Sequence, residues 1–408
     1  MRARALLVRL GADLPATFWW LFAGMLANAL ATFVFPFLAL FLVARGFSPS
    51  RAGLVVALYG GGSILAGPVA GSLADRVGRR PTLLASLVAG AALTALLAAV
   101  EAPTAIACAA LALGLVTNAF RPAAQAIIAD VVAPERRGQA FSLLYWANNL
   151  GMALAMVLGG TLASRGYSAL FLADAATTAV FAAVAWWRIP ETRPGPRGGP
   201  GAAAERDGGY RAILSDGVFV AFAVLNLAFL VGFLQFQVAL PLDMQRHGLS
   251  PAAFGRVLSV NGFLIALLQP WAAPLLRRLD PSRVLAAASA LVGVGYGAYA
   301  LAATATGYAA ATALWSLGEV ACVPVTMALV ADLSPAHLRG RYQGAIGVSW
   351  GSGMLLAPAV GGAVLERFGA SALWGACLAS SLLVALGHLA HAASRRRAVA
   401  ARAAASPA

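Results

Sequence analysis

Apolar runs of about 20 residues recur along the whole chain, and that recurrence leaves few folds open. As a helix, such a run crosses roughly 30 Å of hydrocarbon. In lipid every backbone amide must be satisfied internally, so repeated runs become helices or a closed barrel. Barrel strands alternate lipid-facing and lumen-facing residues, whereas these runs are continuously apolar, which selects helices. Composition agrees: 61% of the 408 residues are hydrophobic and 11% charged, against roughly 45–50% apolar in an average soluble domain. The expectation is an all-α membrane protein with twelve transmembrane helices, near residues 17–43, 52–72, 82–100, 104–128, 139–163, 168–188, 217–240, 253–276, 284–303, 306–330, 341–364 and 370–392.

The least apolar internal stretch, IPETRPGPRGGPGAAAERDGGYR, follows the sixth span and has the Pro, Gly and charge content of a flexible linker. This divides the chain into a six-helix half (residues 1–188), a cytoplasmic linker (189–216), a second six-helix half (217–392) and a cytoplasmic tail (393–408). The first apolar segment lacks an A-x-A exit and reads as a span rather than a cleaved signal. Cys108, Cys322 and Cys377 all fall inside spans, as small buried hydrophobes do.

The formal net charge is +14 and every basic residue is arginine. If the N-terminus is cytoplasmic, 22 arginines lie on the cytoplasmic side and six on the other, with Arg121 inside a span. That asymmetry is the positive-inside pattern, and it puts both termini and the linker in the cytoplasm. The basic excess orients the chain and faces anionic lipid, so no nucleic-acid partner is needed to explain it. Arginine without lysine, beside heavy Ala and Gly use, suits a GC-rich bacterial genome and hence a multi-pass protein of the bacterial inner (plasma) membrane.

The two halves echo each other. ADVVAPERRG (residues 129–138) joins spans four and five, and ADLSPAHLRG (331–340) joins spans ten and eleven. Asp130 and Asp332, Arg137 and Arg339, and the pairs Gly159–Gly160 and Gly361–Gly362 all keep an offset of 202. Six spans per half make this a parallel repeat, a design of secondary transporters that handle substrate between the halves.

Between spans two and three stands GSLADRVGRRPTLL, with Gly71, Asp75, Arg76, Gly78, Arg79 and Arg80; a degraded counterpart, LLRRLDPSRVLA, follows span eight. Arginines alone would satisfy topology. The glycines let a neighbouring helix approach, and Asp75 is an acceptor suited to a helix N-terminus or an arginine. These residues, with the 6 + 6 layout, resemble the major facilitator superfamily over nearly the whole chain. FRPAAQAIIADVVAPERRGQAFSL is similar to its twelve-span drug:proton antiporter branch. The resemblance implies that the charge knot latches the two halves on the cytoplasmic side, with Asp130, Arg137, Asp332 and Arg339 as further gating residues. It also implies a cavity lined mainly by spans one, four, seven and ten. Two departures stand out. The antiporter pattern G-x-x-x-G-P-x-x-G-G reads GMALAMVLGG in span five, with the closer copy GMLLAPAVGG in span eleven. Arg121 lacks the glycine that usually follows it.

Charges within spans are costly and point to function. Glu319 falls mid-way along span ten, Arg121 in the inner half of span four and Asp174 in the outer third of span six. A carboxylate shielded from water can exchange a proton near neutral pH, whereas arginine stays charged. Glu319 is therefore the expected proton or cation-substrate site, with Arg121 as countercharge. Neutral lining candidates are Asn28, Gln125, Asn148, Asn149, Asn226, Gln235, Gln237 and Asn261, with Tyr145, Trp146 and Trp350. Amides beside aromatics suit a large, mostly apolar substrate held by few polar groups.

Three motif matches fail on context. GVSWG lies in an apolar helix, not at a strand–turn–helix elbow. GVGYGA has no βαβ setting, and His388 with His391 lacks a third metal ligand. The expected function is secondary transport by alternating access: proton-coupled export of hydrophobic or amphipathic small molecules by a monomer, with a proton gradient and no cofactor or metal. The alternatives are a specific metabolite transporter and a transport-inactive membrane sensor or scaffold; no enzyme activity is expected.

Overall fold

The computed structural model describes residues 14–133, 136–192, 213–276, 278–335 and 338–405; most of the expected linker lies outside these. No strand occurs among the described residues. Helices follow the spans closely: α1 (Ala16–Leu30) and α2 (Val34–Ala44) build the first, then come α3 (Pro49–Arg76), α4 (Arg79–Ala99), α5 (Pro103–Val131), α6 (Arg137–Ala163) and α7 (Tyr167–Arg188). The second half runs α8 (Gly217–Phe233), a 3₁₀ turn (Leu234–Gln237), α9 (Ala239–Arg246), α10 (Pro251–Leu276), α11 (Pro281–Ala298), α12 (Ala305–Leu333), α13 (Arg339–Ala390) and α14 (Ala392–Ala405). Among the described residues, ten helical segments are long and apolar enough to cross a membrane. One of them lies in α13, which is two helices joined at Gly369, where φ is 81°. The 28-residue α3 packs between α5 and α13.

Starts and stops follow local chemistry. Ser48 caps α3 ahead of Pro49, Asp216 caps α8, Asp280 caps α11 ahead of Pro281, and Thr304 caps α12. Large apolar side chains such as Trp187, Trp271 and Leu301 stand on the outside of the bundle, as a lipid-facing surface requires. Cys108 is among the exposed residues, contrary to expectation, because its side of α5 faces away from the core; Cys322 and Cys377 are buried.

Spans one and seven, expected to be continuous, are broken. α1 stops at Leu30 and α2 resumes at Val34; the seventh span passes through the 3₁₀ turn and ends at Arg246. Pro36 and Pro241 each occupy the third position of the resumed helix. Proline has no N–H to give to the preceding turn but is well suited to a first turn, so each re-starts a helix there.

The halves meet along two seams that repeat at the 202-residue offset. A Cβ on Gly53 of α3 would lie 2.2 Å from the Pro358 carbonyl oxygen of α13, and one on Gly255 of α10 would lie 2.1 Å from that of Met156 in α6. Gly362 sits likewise against the Pro49 carbonyl (2.5 Å) and Gly160 against that of Pro251 (2.7 Å). Main chain meets main chain, the small-residue packing by which membrane helices associate. At this end the Ser50 amide donates to Glu366 Oε2 (2.7 Å), and Phe37 packs edge-on to Phe254 across the halves (5.5 Å). Further along α13, towards the arginine-rich end, Gly344 and Gly347 face open space.

Candidate functional site

The first half encloses a cavity of about 360 Å³. α3 and α5 close its wall by direct backbone packing: a Cβ on Gly114 would lie 1.9 Å from the Tyr59 carbonyl oxygen and one on Gly62 2.1 Å from that of Leu111. Asn118 Nδ2 donates to Ser63 Oγ (2.8 Å) and to the Gly114 carbonyl (3.1 Å), and the hydroxyls of Tyr59 and Thr117 lie 3.2 Å apart. Phe35 stacks on Tyr59 with ring centroids 4.7 Å apart.

Of the residues expected to face a cavity, Asn28, Arg121, Gln125, Asn148 and Asp174 line this one. Arg121 is exposed to the cavity and, among the described residues, makes no hydrogen bond or ion pair. Asp174 is buried, 8% exposed, and its Oδ2 accepts from the Phe33 (2.9 Å) and Val34 (3.1 Å) amides where α2 begins. Asn28 Nδ2 donates to Thr178 Oγ1 (3.0 Å), one turn along α7 from Asp174.

Glu319 lies in the second half. Asn261 Nδ2 of α10 donates to Glu319 Oε2 (2.5 Å) and to Ser316 Oγ (3.0 Å). No ion pair joins Glu319 to Arg121 among the described residues. Gln235 is a staple in the seventh-span break: its Nε2 donates to the Val231 (2.9 Å) and Ala357 (3.0 Å) carbonyls. Asn226 and Gln237 are buried, Asn149 is partly buried, and Trp146 and Trp350 are exposed. The Tyr145 side chain lies outside the described residues.

Among the described residues, the charge knot is tied to α5 and to the start of the linker. Arg79 Nε pairs with Asp130 Oδ2 (2.9 Å), to which Thr192 Oγ1 also donates (2.9 Å). Glu191 accepts the Arg79 (3.0 Å) and Arg80 (3.1 Å) amides, capping α4 just after Gly78, whose φ of 127° suits glycine. The Arg80 guanidinium donates to the Trp186 carbonyl and lies over its ring (5.2 Å). Arg137 Nε donates to the Val132 carbonyl (3.2 Å) rather than joining the knot. Arg76 and Asp332 are exposed; the side chains of Asp75 and Arg339, like the surroundings of Gly71, lie outside the described residues.

Two clusters went unread in the sequence. Asp243 of α9 is buried, its Oδ2 accepting from Tyr308 Oη (2.8 Å) and Trp374 Nε1 (2.9 Å), with His247 3.7 Å from Oδ1. The Asp243–His247 spacing of four was its only sequence signal. The second is α14, which straps the arginine-rich end of the second half. Arg402 pairs with Asp216 and donates to the Leu333 carbonyl, and Arg396 pairs with Asp280 (3.2 Å). Arg395, 1% exposed, lies over Phe222 (5.2 Å) and donates to Ser282 Oγ (3.3 Å); burial lowers its pKa to about 10, with Asp280 opposing the shift. Burial also acts to raise the Asp280 pKa, but the Arg283 amide and Arg396 outweigh it and leave the carboxyl below its usual range.

Ten membrane-length helical segments among the described residues, glycine seams related by one offset, and a cavity among the helices of the N-terminal part now stand together. The Major Facilitator Superfamily profile matches residues 20–243 and 235–407. The chain belongs to the major facilitator superfamily. It is 27% identical over 371 residues to the uncharacterised MFS-type transporter YttB of Bacillus subtilis (strain 168), covering 88% of this chain and 91% of that one. It is 24% identical to a Na(+), Li(+), K(+)/H(+) antiporter of Planococcus maritimus (80% and 84% covered) and 30% identical to the class C tetracycline resistance protein of Escherichia coli (60% and 63%). In fold it matches the crystal structure of the nucleoside transporter NupG with a TM-score of 0.78 at 14% identity, covering 92% of this chain and 99% of that one. It is thus a multi-pass membrane transporter of that superfamily.

Proposed function

We propose that the chain couples proton uptake to the export of hydrophobic or amphipathic small molecules across a bacterial inner membrane by alternating access. The observation that carries this reading is the cavity in the first half, where Arg121, which has no hydrogen bond or ion pair among the described residues, and a buried carboxylate stand among amides and aromatic rings. The arginine excess sets the knot, the linker and both termini in the cytoplasm. On that orientation the two glycine seams seal the outer end. Glu319, held by Asn261, serves as the proton or cationic-substrate site of the second half. The antiporter and tetracycline-resistance relatives support exchange and drug export at low identity.

A second reading has its own observation. Arg121, Asn28, Asn118, Gln125 and Asn148 make the first-half cavity polar enough for one specific metabolite bearing an anionic group. Everted membrane vesicles separate the two. Export of amphipathic cations predicts ethidium accumulation driven by an acid-inside gradient and abolished by Glu319→Gln. Gradient-independent ethidium signals, or pH dependence unchanged in Glu319→Gln, would sink the proton-coupled reading.

A further inference from the structure

The first-span break is built around an ionisable group, whereas the equivalent break in the second half is not. α2 starts with amides that have no intrahelical acceptor, and a helix N-terminus favours negative charge. A single oxygen of Asp174 takes two of them, from Phe33 and Val34. The other side of the break is tied to the same spot. Thr32 Oγ1 donates to the Asn28 carbonyl (2.8 Å) at the end of α1, and Asn28 donates to Thr178, one turn along α7 from Asp174. At the seventh-span break, neutral groups do this work: Tyr296 Oη donates to the Phe233 carbonyl and Gln235 to those of Val231 and Ala357.

We propose that Asp174 is a proton-binding site whose protonation state sets the geometry of the first-span break. This deepens the proton-coupled reading above and rests on it. As a carboxylate, Asp174 pins the start of α2 through two charge-assisted bonds, roughly twice as strong as neutral ones. Binding one proton turns it into a carboxylic acid, a weaker acceptor with a hydrogen of its own to place. The Phe33 and Val34 amides then loosen, and α2 is free to pivot on residues 31–33. Phe35 of α2 stacks on Tyr59 in the cavity wall and Phe37 meets Phe254 across the halves, so a pivot reaches both the cavity and the sealed end. The charge environment is simple. α7 packs on α4, α1, α6 and α2, and the titratable groups among the described lining residues are Asp174 itself, Tyr59 of α3 and Arg121 of α5. Carboxylates are the side chains that take up a proton in the acid range, which arginine and tyrosine do not, so Asp174 is the group here that switches under acid.

Hydrogen–deuterium exchange of the full chain in nanodiscs reads the two amides directly and needs no substrate. After correction for the intrinsic pH dependence of exchange, protection of the peptide holding Phe33 and Val34 falls about tenfold from pH 8 to pH 5.5 in the native chain. In Asp174→Asn it stays at the low-pH level throughout, whereas Asp174→Glu restores a pH-dependent profile. Equal protection at both pH values in the native chain overturns the proposal, as does native-like pH dependence in Asp174→Asn. If Asp174→Asn does not fold, the native and Asp174→Glu profiles decide. A pH-dependent break without gradient-driven flux would refute proton-coupled export while leaving this proton site in place.

Discussion

Adding one carbon at Gly255 should unseat the closed end of the molecule. Its Cβ would stand 2.1 Å from the Met156 carbonyl oxygen and 3.1 Å from Gly160 Cα, all backbone that no rotamer change can move. Reaching ordinary contact at 3.4 Å requires α6 and α10 to part by about 1.3 Å. Overpacking of this kind costs about 1–3 kcal/mol, and each 1.4 kcal/mol is tenfold in an equilibrium. The clash exists only while this end is sealed, so Gly255→Ala should shift the population about 5–150-fold toward the state open at this end. Gly53→Ala does the same on the other seam, and the two should add approximately because they share no partners. Spin labels at the exposed Arg51→Cys and Arg256→Cys positions, one per half, report the change by double electron–electron resonance. The long-distance population grows in Gly255→Ala and grows again in the double variant. An unchanged distance distribution in a folded Gly255→Ala protein would refute the reasoning that these seams are the closing surface.

Other expectations follow from the same geometry. Gly90 lines the cavity, and its Cβ would find only Thr117 Cγ2, at 3.9 Å; Gly90→Trp should therefore fold, fill the space and abolish transport, whereas a scaffold protein would be unaffected in partner binding. Asp280→Asn keeps a capping side chain on α11 but removes the ion pair with Arg396, costing about 0.2–1 kcal/mol and lowering the thermal midpoint. The Asp280 pKa lies below its usual range, so its contribution is present at neutral pH and is lost as pH falls through the folded-state value. A thermal-shift series from pH 7 downward should accordingly show the native chain converging on Asp280→Asn.

The spans were legible because length and apolarity alone decide them; their breaks were not. Pro122, Pro324 and Pro358 lie inside uninterrupted helices, while Pro36 and Pro241 re-start broken ones, and a proline in an apolar run looks alike in both cases. The Arg79–Asp130 pair was within reach of the sequence, since both residues belong to charged loops on one side. Glu191 was hidden because it sits where a flexible linker was read, yet it caps α4. Asp174 was visible as a costly acid, but its partners are main-chain amides of another span, which no side-chain pattern reveals. The offset of 202 exposed the paired glycines of spans five and eleven. Their contact surfaces, Pro251 and Pro49, became apparent only with the helices in place.

The central claim is coupled flux through the cavity, and pyranine-loaded proteoliposomes test it most directly. With ethidium or tetracycline added across an imposed pH gradient, the native chain should dissipate the gradient faster in the presence of at least one compound, and Gly90→Trp should not. Identical proton fluxes from the native chain and Gly90→Trp, with every compound tried, would contradict the account.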